Sequence, residues 1–156
     1  MFQGKLVSIH LTTESGQPMK SIEKARLVPG RGMEGDRYYA QTGTYSNKSG
    51  PDRELTLIEI EALEALSHEE GIELITGETR RNLITRGVPL NHLVGQEFMV
   101  GEVKLKGVRL CEPCNHLVKL TGKPGVLPGL IHRGGLRAQV LSEGTIYIDD
   151  SITITS

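Results

Sequence analysis

Residues 97–117 read EFMVGEVKLKGVRLCEPCNHL, and this stretch decides the fold class and points to the chemistry. Glu97 to Val100 and Val103 to Leu110 form two extended segments about Gly101 and Glu102. That pattern predicts a β-hairpin whose second strand runs directly into Cys111. Pro113 then forces an extended or turned backbone, and Asn115 and His116 are polar. The sequence therefore predicts a partly exposed loop, carrying Cys114, at the end of a strand.

The same reading extends outward. Lys5 to Thr12, Ala25 to Val28, Asn82 to Ile84, Gln139 to Leu141, Gly144 to Ile148 and Ser151 to Thr155 read as further short strands. Nineteen glycines and seven scattered prolines suit many strands joined by turns better than a helical bundle. One helix is predicted from Glu59 to Glu70, where Ile60, Leu63 and Leu66 recur at helical spacing and Gly71 supplies a stop. Gly30 to Pro51 is polar and reads as one long loop, Ile72 to Ile75 as extended, and Asn91-His92 as a turn. The expectation is one mainly β (α+β) domain over residues 1–156, with one good helix and a few turns of a second.

Composition narrows the function. A formal net charge of −1 gives no basic face for nucleic acid, and no run of about 18 apolar residues spans a membrane. Two cysteines are too few for a disulfide framework, and MFQGKLVSIH lacks a secretory pattern, so a reducing cytoplasm is expected.

Three signals carry chemistry. Cys111 and Cys114 could be a redox pair, half of a metal site, or a functional thiol beside a passive one. A zinc site needs two more ligands, which His116 and His132 could supply, although no second CxxC is present. A thioredoxin-type pair would open a helix in a βαβ pattern, which is not evident here. Both thiols could also be small buried hydrophobes. Second, Arg80, Arg81 and Arg86 bracket Asn82, and Arg133 and Arg137 flank Gly134-Gly135. Guanidinium forks beside glycine N–H groups suit a phosphate or other oxyanion, while the plainer reading pairs them with surface carboxylates. Third, Gly35-Asp36-Arg37 can orient a guanidinium in a turn. No GxSxG, P-loop or HExxH motif is present.

Taken in order, Gly35-Asp36-Arg37, a Leu-Ile-Glu helix at Leu57 to Leu66, Gly77 to Leu83 with Arg81-Asn82, Gly87 to Leu90, Pro113-Cys114-Asn115-His116-Leu117 and Arg133 to Leu136 resemble the small stand-alone MOSC (molybdenum cofactor sulfurase C-terminal) proteins. The resemblance covers about the whole chain from Gly35. It implies a β-barrel-like domain, with one or two short helices, that binds the molybdenum cofactor (molybdopterin). It makes Cys114 the metal ligand or sulfur-transfer residue, a soft thiolate suited to either task. It puts Asp36, Arg37, Arg81, Asn82, Arg109, His116, Arg133, Gly134 and Gly135 around the cofactor. Cys111 receives no family role, and Tyr38 stands where the family often has His. The implied activity is reduction of N-hydroxylated small molecules with electrons from an external reductase. The alternative is a persulfide carrier loaded by a cysteine desulfurase.

Overall fold

In the computed structural model, the predicted hairpin is one corner of a closed barrel. The structure describes residues 2–14, 16–40, 50–74, 76–112, 115–123 and 125–154, without the side chains of Ala40, Asp52, Asn115, His116 and Leu127. In chain order the strands are β1 (Gln3–Leu11), β2 (Lys20–Ile22), β3 (Lys24–Val28), β4 (Gly32–Met33), β5 (Leu55–Glu59), β6 (Leu83–Arg86), β7 (Glu97–Val100), β8 (Val103–Leu110), β9 (Leu136–Val140), β10 (Gly144–Tyr147) and β11 (Ser151–Ile154). The helices are α1 (Arg37–Ala40), α2 (Ile60–Glu70), α3 (Asn115–Thr121) and α4 (Val126–Gly129). The main sheet runs β11-β7-β8-β9-β5-β6-β1-β2, and β1 also pairs with β11. Closure of that ring removes the free edges a sheet would otherwise expose, and leaves β2 as a flap outside it. Strands β10, β3 and β4 form a separate small sheet.

Strands fill the barrel with alternate residues. Leu6, Ile9, Leu57, Leu83, Phe98, Val100, Leu105, Leu136 and Ile152 are buried in one cluster, joined by Leu27, Met33 and Ile146 of the small sheet. A second cluster sits outside the barrel wall, where Ile58 and Ile84 meet Leu63 and Leu66 of α2, Leu117 of α3, and Val126 and Leu130 of α4. Strands β5 and β6 run parallel with Leu57 opposite Leu83 and Ile58 opposite Ile84. Neighbouring residues therefore serve opposite faces, the inner pair filling the barrel and the outer pair seating the helices.

This double burial corrects one sequence expectation. Leu57 to Glu59 is strand, not the opening of the helix, because a strand apolar on both faces loses the alternation that announces it. The helix itself runs from Ile60 to Glu70, and Gly71 ends it in the left-handed conformation with φ of 66°, its N–H donating to the Ser67 carbonyl. The loop expected from Gly30 to Pro51 holds β4, α1 and the start of a short 3-10 turn at Pro51–Arg53, while residues 41–49 lie outside the described region. Residues 72–74 join no strand, and Ile75 and Thr155 lie outside the described residues. The hairpin matches the expectation, with Val100 opposite Val103. Among the described residues, no helix is long and apolar enough to cross a membrane.

Candidate functional site

Two adjacent arginines at the start of β6 organise the mouth of the barrel. Thr76–Thr79 forms a 3-10 turn, and the chain then passes through Arg80 and Arg81 into Asn82. Arg81 is buried, and its guanidinium serves three backbone carbonyls: Nε donates to Gly134 at 2.8 Å, Nη1 to Thr79 at 3.2 Å and Nη2 to Cys111 at 3.0 Å. It is a bracket that fastens the root of the cysteine loop to β6 and to the glycine turn before β9. The turn is tight for steric reasons. Gly135 has φ of 115°, and a Cβ there would stand 2.0 Å from the Leu57 carbonyl oxygen, so no side chain fits. The Cys111 N–H donates to the Gly135 carbonyl at 2.7 Å, and Cys111 is buried.

Asn82 closes the wall below. Its Oδ1 accepts from the Thr56 N–H and hydroxyl, both at 3.1 Å, and its Nδ2 donates to the His10 carbonyl at 3.2 Å. One buried amide thus joins β5, β6 and β1.

Arg80 behaves differently. It is a non-glycine residue in the left-handed region, with φ of 63°, a conformation that costs about 1 kcal/mol or more. Its side chain enters a cavity of about 230 Å³ lined by Gly16, Pro18, Met19, Gly77, Glu78, Arg80, Leu120 and Thr121. Nη1 donates to the Gln17 carbonyl. Burial, then the charge of Arg37 nearby, bring its pKa down to about 10, against the opposing pull of Asp36. At neutral pH it is still a cation, and among the described residues no carboxylate pairs with it directly. Glu78 on the same wall is engaged with Lys123 at 3.2 Å.

Gly35-Asp36-Arg37 supports this cation from behind. Asp36 is fully buried, accepting the Thr12 N–H and Arg37 Nη1 on Oδ1 and the Tyr38 N–H on Oδ2, as a residue preceding a helix does. Arg37 lies over the Tyr38 ring and donates through Nη2 to the Arg80 carbonyl at 3.1 Å, while Nη1 also meets the Met19 sulfur at 3.6 Å. Asp36, Arg37 and Arg80 therefore form one chain of contacts ending at the cavity.

Residues 44–153, well over half of the chain, match the family model described as MOSC domain. The chain belongs to the MOSC family. Among solved structures, the YuaD protein from Bacillus subtilis is similar with TM-score 0.80 and 16% identity, over 97% of each chain. YiiM from Geobacillus stearothermophilus has TM-score 0.73 and 15% identity, over 98% of this chain and 75% of its own. YiiM from Escherichia coli has TM-score 0.68 and 18% identity, over 97% of this chain and 70% of its own. At these identities the likeness is one of fold. No curated protein matches the chain by sequence.

Within this MOSC domain the residues singled out from the sequence divide into three groups. Arg81, Gly134 and Gly135 meet at Cys111, and Asp36 with Arg37 backs the cavity. Arg133 and Arg109 point elsewhere. Arg133 forms a fork with Glu69 of α2 at 3.1 and 3.2 Å and donates to the Gly129 carbonyl, while Arg109 is exposed on β8 opposite Arg137 of β9. Cys114 and the His116 side chain lie outside the described residues. Among those described, no three His, Cys, Asp or Glu side chains gather as a metal site.

Arg80 stands in the arginine cluster that the sequence singled out for an oxyanion but was not assigned to the cofactor, and Met19, Gly77 and Thr121 were not picked out as site residues. Which of the two adjacent arginines faces the cavity is not decided by strand alternation, because Arg80 adopts a left-handed backbone with φ of 63°.

Proposed function

We propose that this MOSC domain binds the phosphorylated pterin of the molybdenum cofactor in the cavity at Arg80. MOSC domains are associated with molybdenum-cofactor enzymes. One observation carries the reading: the half-buried Arg80 guanidinium, which among the described residues pairs with no carboxylate and whose backbone carbonyl is held by Arg37, lines a space together with Pro18, Met19 and Leu120. The donor set fits the group. The Arg80 cation suits a phosphate, and Pro18, Met19 and Leu120 offer a ring apolar contact beside the polar Glu78 and Thr121. The volume is below that of a typical drug-sized pocket, which favours one compact bicycle over a dinucleotide.

In this reading Arg80 holds the anionic end and Arg37 holds Arg80. Helix α3 connects the cavity wall at Leu120 and Thr121 with the cysteine loop, whose root Arg81 fixes. Cys114 would be the protein's thiolate ligand to the metal. When bound, the cofactor supplies a redox-active metal centre. The protein's own part is to orient the ligand, with Gly16, Pro18 and Met19 walling the cavity and Arg81 holding Cys111 in register. The activity we assign is reduction of N-hydroxylated small molecules, with electrons delivered by a separate reductase.

Molybdenum and oxidised pterin fluorescence, measured per chain after expression in a cofactor-competent host, test this reading. Near-stoichiometric amounts are expected in wild type. Arg80→Gln should lose ten-fold or more, since a charge-assisted hydrogen bond contributes about 1.5–3 kcal/mol, and Cys114→Ser should lose the metal. A wild type carrying neither metal nor pterin would refute the assignment. If that protein instead gained one sulfur from a cysteine desulfurase, by intact mass, the carrier reading would replace it.

A further inference from the structure

Two residues of opposite charge line the cavity. Glu78 and Arg80 stand on either side of the buried Thr79, and both belong to the cavity wall. A guanidinium only donates hydrogen bonds and a carboxylate only accepts them. An acid on the wall of a pocket for an anion calls for an explanation, since like charges repel. The surroundings supply one. Lys123 Nζ lies 3.2 Å from Oε1 and 3.4 Å from Oε2 of Glu78, and also donates to the Glu73 carbonyl at 2.6 Å. The Lys123 N–H donates to the hydroxyl of Thr121, which lines the same cavity together with Leu120. The ion pair therefore joins the 3-10 turn at Thr76–Thr79 to the C-terminal end of α3, two elements that both wall the cavity. It offsets the charge of the acid while the Glu78 side chain stays 29% exposed.

We infer that Glu78 is the specificity-determining residue of this cavity, its carboxylate accepting the N–H edge of a flat heterocycle whose anionic end lies on Arg80. This rests on the pterin reading and deepens it, because it names the part of the ring that the wall selects. A 2-amino-4-oxopteridine carries adjacent donors, the ring N3–H and the 2-amino group, arranged like the fork of a guanidinium. A carboxylate receives such a fork on both oxygens. It has about four lone-pair directions, so ligand and lysine can share it. The two walls then divide the work: Arg80 meets the anion, and the acid offset by Lys123 selects donors without repelling that anion. A 2-oxo ring of the same shape turns a carbonyl toward Glu78 in place of the amino group. Oxygen facing oxygen forms no hydrogen bond and loses solvation, so that ring is rejected.

Two probes separate this from a purely structural ion pair. Pterin-6-carboxylate and lumazine-6-carboxylate share the fused ring and the anionic tail, and differ in that lumazine carries an oxo group where pterin has its amino group. Dissociation constants are read by fluorescence quenching on chain purified from a host that makes no cofactor. Wild type should prefer the pterin by about ten-fold or more, the range for a charge-assisted hydrogen bond. Glu78→Gln keeps the size of the side chain but turns an N–H toward the donor edge. Its preference should shrink to within about two-fold, through weaker pterin binding, with lumazine bound as in wild type. Lys123→Met uncovers the acid and should weaken both anionic probes alike while keeping the preference. A purely structural pair would weaken both probes alike in both variants. A wild type that binds the two probes equally, a Glu78→Gln variant that keeps the preference, or a Lys123→Met variant that loses it overturns the role of Glu78 and leaves the cofactor reading standing. A wild type that binds neither probe, and retains no pterin from a cofactor-competent host, removes the cofactor reading, and the Glu78 role falls with it.

Discussion

The bracket under the cysteine loop and the cavity beside it are built from adjacent residues, yet they treat polar groups in opposite ways. At the bracket, Arg81 spends its guanidinium on three carbonyls, and Gly134, Gly135 and Cys111 complete the set. At the cavity, Arg80 is half-buried, pairs with no carboxylate among the described residues and has a strained backbone, and behind Gly77 the buried His10 Nδ1 has no hydrogen-bond partner among them. Satisfied buried polar groups specify a scaffold, whereas unsatisfied ones store a cost that a bound partner can relieve. Sequence neighbours can thus belong to different functions. Substitution should separate the two regions by what it damages, stability or binding.

The largest effect is expected at the bracket's tightest point. Gly135→Ala places a methyl against the Leu57 carbonyl at 2.0 Å, where both partners are backbone and neither can give way without breaking the β5–β9 pairing. A loss of about 4 kcal/mol or more follows, the class of damage reserved for backbone strain in a core. Chemical denaturation should show it, and a variant as stable as wild type would mean that the turn has room the geometry denies.

Arg81→Met should come next. It keeps the packing but strips three carbonyls of their donor, which predicts a loss of about 3 kcal/mol in urea titrations and weaker cofactor retention through a displaced loop. Arg80→Gln is its counterpart. Removing a desolvated cation near Arg37 offsets the lost hydrogen bond to Gln17, so stability should stay within about 1 kcal/mol of wild type while binding collapses. Equal destabilisation by the two variants would erase the distinction between scaffold and pocket.

Much of this was legible in the sequence, and what escaped did so for identifiable reasons. The 97–110 hairpin and the helix ending at Gly71 each carry a periodic pattern with a turn residue at its end, and local signals of that kind survive folding. Strand β5 escaped because Leu57 and Ile58 are buried on opposite faces, so its run gives no period to read. The small elements after Gly30 are held by non-local contacts, such as Asp36 to Thr12 and Arg37 to Arg80, which no window of sequence displays. The order of the site motifs was visible, but not which arginine of the pair turned inward. That depends on the carbonyls of Gly134 and Cys111, supplied some thirty to fifty residues later. His10 gave no signal, since its significance lies in an atom left unpaired.

The smallest effect tests whether that unpaired atom is real. Burial holds the His10 pKa below its ordinary 6.5 in the folded chain, so the unfolded chain takes up a proton first as pH falls. The stability associated with neutral His10 is therefore complete above about pH 6.5 and declines as pH falls through 6.5 toward the folded-state value. Glu54 and Glu59 act in the opposite sense, because burial raises each above its ordinary 4.5 and their protonation favours the folded chain lower in the range. The difference between wild type and His10→Asn cancels those carboxylates. Urea midpoints at intervals from pH 7.5 to 5.0 should show wild type losing stability relative to the variant on acidification, with most of the change below pH 6.5. A difference that stays constant across the range would mean that His10 titrates as it does in water, and that its ring is not held in the dry wall beside Gly77.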